Sequence, residues 1–219
     1  VDTYSVSSLS SAAIQNFGSY VYTNADEETG TVGGVTIDGV PGDKTKVRYA
    51  IHYLVESEGI YVGYKYYETA ADDMNAENPG SGDEWYDSQV LYPYGYGLSY
   101  TTFEYGKATI DKTSGSADDT FTVAIPVTNT GSRSGKETVQ LYVSDLKSSV
   151  ERPVKELKGF RKVALAPGET QLVTFAIGRD DLSYFDAAKH EWVVEPGAFE
   201  ALVGASSADI RSKVRFKVN

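Results

Sequence analysis

From residue 121 onward, apolar side chains fall on every second position. Phe121, Val123, Ile125 and Val127 alternate with Thr122, Ala124 and Pro126, and "NTGSRSG" (129–135) then turns the chain. Val139, Leu141 and Val143 alternate with Gln140 and Tyr142. "LKGFRKVAL" (157–165) leads to the turn "APGE" (166–169), and Val173, Phe175 and Ile177 repeat the period of two. "LSYFDAAKHEWVV" (182–194) reads as two strands about a short turn, and "GAFEALVGAS" (197–206) and "KVRFKV" (213–218) complete the set. A period of two places one face of each strand toward a core. Short strands punctuated by Gly, Pro and Asn predict a β-sandwich with one closed core. No helical period stands out after residue 105.

The first half patterns differently. Residues 21–47 have hairpin character, punctuated by Gly30, Gly33-Gly34 and Gly39. Ile60 to Tyr67, "IYVGYKYY", is rich in β-formers and predicts a strand. Residues 68–91 predict a polar, acidic loop. Seven acids lie between Glu68 and Asp87, with no Lys or Arg among them. With no amphipathic helix of good length in view, residues 1–91 read as the closing portion of an α/β domain, short of a complete one.

Charge sharpens this division. Residues 1–100 carry 4 Lys+Arg and 15 Asp+Glu, a net of −11, whereas residues 101–219 carry 16 of each. An acidic half with no basic stripe argues against nucleic-acid binding. No apolar run reaches the roughly 20 residues that span a bilayer, and the first residues lack a signal-peptide pattern. The compartment stays open, because the absence of cysteine excludes a disulfide framework and thiolate metal sites but fits both cytoplasmic and exported bacterial proteins. No cofactor motif is present. His52 and His190 lack metal-ligand spacing, and the Asp pairs at 72–73 and 118–119 lack the alternation of a calcium loop. With no initiator Met, the chain reads as part of a longer product.

Seventeen tyrosines stand out. Many cluster in "EGIYVGYKYYE" (58–68) and "YPYGYGLSYTTFEY" (92–105). The second stretch, with Pro93, Gly95 and Gly97, is too broken for a helix and too aromatic for a solvated linker. Two readings are open, a strand-turn-strand within one domain or, as the resemblance that follows implies, a stiff strap whose rings pack against the domains on either side. These two stretches resemble the junction in glycoside hydrolase family 3, the β-glucosidase family. There an α/β-sandwich domain passes through such a strap into a fibronectin type III-like domain. "VTNTGSRSGKETVQLYVSD" (127–145), "RPVKELKGFRKVALAPGET" (152–170) and "DLSYFDAAKHEWVVEPGAFEALVGASSADI" (181–210) resemble that domain in order and spacing.

The resemblance implies a mostly β fold. Its parts are the end of the α/β sandwich (1–91), the strap (92–105) and a fibronectin type III-like sandwich (106–219). Enzymes of this family retain configuration with two carboxylates, a nucleophile on a barrel domain and an acid/base on the α/β domain. Nothing around Glu27, Glu28, Glu56 or Glu58 matches the acid/base, so no catalytic residue is assigned here and the isolated chain is expected to be inactive. The implied partners are the barrel, the rest of the α/β domain (in the same or a separate chain) and, in the intact enzyme, a β-linked oligosaccharide. Tyr67, Glu68 and Trp85 are candidates for sugar contact, since rings stack on sugar faces and carboxylates accept from hydroxyls. Tyr64, Tyr66, Tyr94, Tyr96 and Tyr100 are candidates for the domain interface. Trp192 is expected in the sandwich core. A free-standing carbohydrate-binding or structural module is the alternative.

Overall fold

The computed structural model of the chain describes residues 59–219 and, ahead of them, the backbone of four short strands. Two compact units result, Val1–Gly59 and Ile60–Asn219. In the first, β1 (Tyr20–Tyr22) pairs antiparallel with β4 (Tyr49–Ile51), and β2 (Thr31–Val32) with β3 (Val35–Thr36), Val32 opposite Val35. The rest of residues 1–58, with His52 and the four glutamates considered above, lies outside the described residues.

The second unit is a two-sheet sandwich. One sheet contains β7 (Ser114–Gly115), β9 (Gly135–Asp145), β10 (Glu156–Leu165), β14 (Gly197–Gly204) and β15 (Ile210–Val218), in the order β10-β9-β14-β15-β7. The other contains β5 (Phe103–Tyr105), β6 (Thr109–Ile110), β8 (Phe121–Asn129) and β11 (Thr170–Ile177), with β8 at its centre. Strand β8 buries every second residue from Phe121 to Asn129, as the alternation predicts. Phe121 of one sheet meets Phe216 of the other at 4.6 Å between ring centres, and Phe199 stacks on Phe216 at 5.7 Å. Aromatic contact across the sheets adds to the area buried there. The turn after β8 is organised by buried Asn129. Its amide donates to the Arg133 and Leu165 carbonyls, and its oxygen accepts from Thr101 and Gly131.

Strand β9 departs from simple alternation. From Gln140 to Ser144 it is buried on both faces. A second layer explains this, since the segment from residue 64 to 95 lies over the outer face of the five-stranded sheet. There Tyr64 and Tyr94 stack at 4.6 Å, and Tyr64 meets the fully buried Tyr142 edge-on at 6.1 Å.

Here the structure corrects the strand and loop expected at 60–91. Residues Tyr64–Glu77 form helix α1 and Ser81–Gln89 form helix α2. Ala70, Ala71, Met74, Ala76 and Glu77 are good helix formers, and the acids other than Glu68 sit on the solvent side. Pro79 and Gly80 separate the helices, and Asn75 caps the turn by accepting from the Gly80 and Gly82 backbone N–H groups at 3.0 and 2.9 Å. A Cβ on Gly82 would collide with the Ala71 carbonyl, so glycine there lets the two helices approach closely.

A further correction concerns Trp192. The hairpin β12 (Tyr184–Asp186) with β13 (Glu191–Val193) forms as expected, but Trp192 is 64% exposed and meets Phe185 edge-on, at 5.7 Å. The three-residue strands are too short to fold their rings over the core. A single helical turn, α3 (Arg179–Leu182), precedes this hairpin.

Candidate functional site

The chemistry-bearing side chains gather on the helical pair and where it meets β10. Four contacts fix α1 to the sandwich. Tyr64 OH accepts from the Leu157 N–H at 2.8 Å, and Thr69 Oγ1 accepts from the Val154 N–H at 3.0 Å. Lys65 Nζ lies 2.9 Å from Glu156 Oε1, and Lys155 Nζ lies 2.7 Å from Glu68 Oε2. The register of β10 slips between Leu157 and Gly159, and such a bulge turns a strand's backbone and side chains outward. Here it frees the Leu157 N–H for the helix. Burial pushes the Tyr64 phenol up to about 12, which keeps it neutral.

Glu156 is the electrostatic centre of this joint. Lys65, Arg152 and Lys158 surround it at 2.9, 3.2 and 3.4 Å. Burial alone would raise its pKa, but Lys158, Lys65 and Arg152 overcome this and hold it down at about 2. Arg152 is itself nearly enclosed. It pairs with Asp145 at 3.3 Å, donates to the Leu182 carbonyl and lies over the Tyr184 ring.

The three candidate sugar contacts separate. Tyr67 and Trp85 come together, stacked at 5.9 Å and 29°, across the two helices. Tyr66 meets both edge-on, at 5.3 and 6.4 Å, and the three rings form a partly exposed aromatic ridge. Glu68 does not join them. It is buried on the opposite flank of α1, ion-paired to Lys155 and 3.4 Å from Tyr86 OH. Burial and the Glu68 charge together push Tyr86 up to about 12. A carboxylate spent on a buried lysine is poorly placed to accept from a sugar.

The interface candidates also divide. Tyr64 packs on Tyr142 and Tyr94 stacks on Tyr64, and the Tyr94 carbonyl accepts from the Ser207 N–H at 2.9 Å. Gln140 Nε2 donates to the carbonyls of Gly95 and Ala205, while its Oε1 accepts from Tyr142 OH. Gly95 has φ +78°, and a Cβ there would strike the Gln140 amide. Tyr66 belongs to the ridge. Among the described residues Tyr96 and Tyr100 are exposed, Tyr100 by 94%. Within the described residues, the strap is held at Tyr94 and Gly95 by backbone carbonyls and the Tyr94 ring, at Thr101 by its hydroxyl on Asn129, and at Phe103–Tyr105 by pairing with β8.

Two hollows open on this unit. One, of about 510 Å³, runs between the strap at Tyr94–Ser99 and the β9–β10 face with Lys136, Phe160 and Lys162. The other, of about 410 Å³, lies between α1 and Glu151–Arg152. Glu151 and Arg152 were not singled out from sequence, and Asp73 entered only within an Asp pair that lacks calcium-loop alternation. Once α1 is known, Tyr66, Thr69, Ala70 and Asp73 stand at i, i+3, i+4 and i+7, which is one helix face.

Comparison with known proteins places this assembly. The fibronectin type III-like domain family matches residues 137–207. β-Glucosidase BoGH3A of Bacteroides ovatus is 43% identical over 177 residues, covering 81% of this chain and 21% of its own length. The solved GH3 β-glucosidase of Bifidobacterium adolescentis superposes with a TM-score of 0.63 at 39% identity, covering 74% of this chain and 21% of that one. The chain belongs to glycoside hydrolase family 3. A β-xylosidase of Formosa agariphila is 50% identical over 131 residues, covering 58% of this chain and 18% of its own. This chain therefore spans about a fifth of the length of the relatives it matches.

Proposed function

We propose that this chain is a segment of a retaining β-glycosidase of the β-glucosidase type, that it buttresses the catalytic domains, and that it presents the Tyr67–Trp85 ridge at the rim of the sugar pocket. In this reading residues 106–219 are the sandwich, 92–105 the strap and 1–91 the end of the α/β domain. The two carboxylates of retaining hydrolysis are supplied by the rest of the enzyme, as its relatives' greater length suggests. The observation that carries the proposal is the rigid mounting of an exposed aromatic ridge. Tyr67 and Trp85 stack across two packed helices, the first of which four polar contacts fix to the sandwich. Stacked rings suit the apolar C–H face of a sugar. Glu68 acts through the mounting, by holding α1, and not by touching substrate.

The test is complementation. The barrel-containing remainder of the enzyme is assayed on an aryl β-glucoside with and without this chain. Gain of activity on mixing supports the reading. No gain from a well-folded remainder that forms a complex with this chain counts against it. A free-standing sugar-binding module would bind glucans without any partner and leave the remainder's activity unchanged.

A further inference from the structure

The hollow beside α1 has a composition that the ridge does not explain. One wall is the helix face with Tyr66, Thr69, Ala70 and Asp73, and the other is Glu151 and Arg152, with Tyr61 at the side. Ala70, the small residue in that face, makes the hollow. Its volume, about 410 Å³, falls in the range of small-molecule clefts, roughly 300–1,000 Å³.

Its polar groups have definite states. The side chain of Arg152 is 9% exposed, and its bonds to Asp145, Glu156 and Leu182 use three of the five N–H donors of a guanidinium. It is a fixed wall with donors remaining. Thr69 Oγ1 is committed to the Lys65 carbonyl and the Val154 N–H. The acceptors left for a ligand are the carboxylates of Asp73 and Glu151. Both lie close enough to Tyr61 to raise its phenol, after burial itself.

We propose that this hollow binds an uncharged pyranose. The sugar's C–H face lies on Tyr66, its hydroxyls donate to Asp73 and Glu151, and a hydroxyl or ring oxygen accepts from Arg152. Two carboxylates facing one cavity favour a ligand rich in donors and repel an anionic one, so uronic acids are rejected. Because Tyr66 also meets Tyr67 and Trp85, a second sugar unit extending from the hollow reaches the ridge. The choice of sugar rests on the glycosidase reading above; the selectivity against anions rests on the cavity alone.

The chain itself is the test object. Its backbone amide resonances are followed by NMR while cellobiose, glucuronate or CaCl2 is added separately. Cellobiose is expected to shift the amides of Tyr61, Tyr66–Asp73 and Glu151–Arg152, with a Kd on the order of 1–10 mM. Glucuronate is expected to shift none of them. Asp73→Ala is expected to weaken cellobiose about fivefold or more, the loss of one charge-assisted hydrogen bond, while Glu84→Ala on α2 leaves it unchanged. The proposal is overturned by no response to cellobiose, by shifts elsewhere, by equal binding of glucuronate, or by a response to Ca2+ alone. Failure here leaves the complementation result standing, and failed complementation leaves this titration interpretable, so the two readings are separable.

Discussion

Gln140 ties three parts of the molecule together, and its removal has a calculable cost. Its amide donates to the Gly95 carbonyl at 3.1 Å and to the Ala205 carbonyl at 2.7 Å, and its oxygen accepts from Tyr142 OH at 2.6 Å. In Gln140→Leu the Gly95 carbonyl, on the exposed strap, is rehydrated at little cost. The Tyr142 hydroxyl sits on a fully buried residue and stays without a partner, and the Ala205 carbonyl, on a half-buried residue, is rehydrated only in part. Each such orphan costs about 1–3 kcal/mol. Leucine recovers some of this by apolar burial, so a net loss of about 2–4 kcal/mol is expected. For a chain of this size that lowers Tm by about 5–12 °C. Urea unfolding followed by tryptophan fluorescence and by circular dichroism measures it, and hydrogen exchange at Tyr96, whose N–H bonds to the Pro93 carbonyl, reports release of the strap. Tyr142→Phe removes one orphan in advance. The double variant Gln140→Leu/Tyr142→Phe is therefore expected to lose about 1–2 kcal/mol less than the sum of the singles. Additive losses, or a single-variant loss below about 0.5 kcal/mol, would refute the argument that Gln140 is the bridge.

Other perturbations follow from the same joint. Lys155→Met leaves buried Glu68 without its cation and is expected to cost about 3–5 kcal/mol in chemical denaturation, most of it regained in Lys155→Met/Glu68→Leu. Glu156 has its folded pKa depressed to about 2 from 4.5, so its contribution is complete above about pH 4.5 and disappears as pH falls toward 2. That contribution is on the order of 2–3 kcal/mol, and Glu156→Gln is expected to show a correspondingly shallower loss of stability between pH 5 and 2. Trp192→Ala is expected to change stability by less than about 0.5 kcal/mol, as for an exposed residue, where a core tryptophan would cost about 3–5.

The sandwich was legible because each strand turns one face to a common core, and that writes a period of two into the chain. The legibility ends where the outer face is also covered. Gln140 and Tyr142 read as solvent-facing positions, and only the layer formed by residues 64–95 shows why they are buried. The helices at 64–89 were not legible for a related reason. Ile60 to Tyr67 has strand propensity, and the contacts that fix the helix instead reach far along the chain. Tyr64 meets Leu157 across 93 positions, and Lys65 meets Glu156 across 91. No local pattern announces a partner at that distance. The same blindness separated the candidate site. Adjacent Tyr67 and Glu68 seem one unit in a strand or loop, yet on a helix they point about 100° apart, one to the ridge and one to Lys155. Tyr67 and Trp85, 18 positions apart, were brought together by the turn that Gly82 permits.

The central claim is that this segment lends a rigid aromatic rim to a β-glycosidase pocket. Steady-state kinetics of the enzyme carrying this segment, comparing the parent with Tyr67→Ala/Trp85→Ala on cellobiose, test it most directly. The account predicts a kcat/KM about 5–150-fold lower, carried mainly by KM, from the loss of about 0.5–1.5 kcal/mol per ring. Unchanged kcat/KM in a variant of unchanged stability would contradict it.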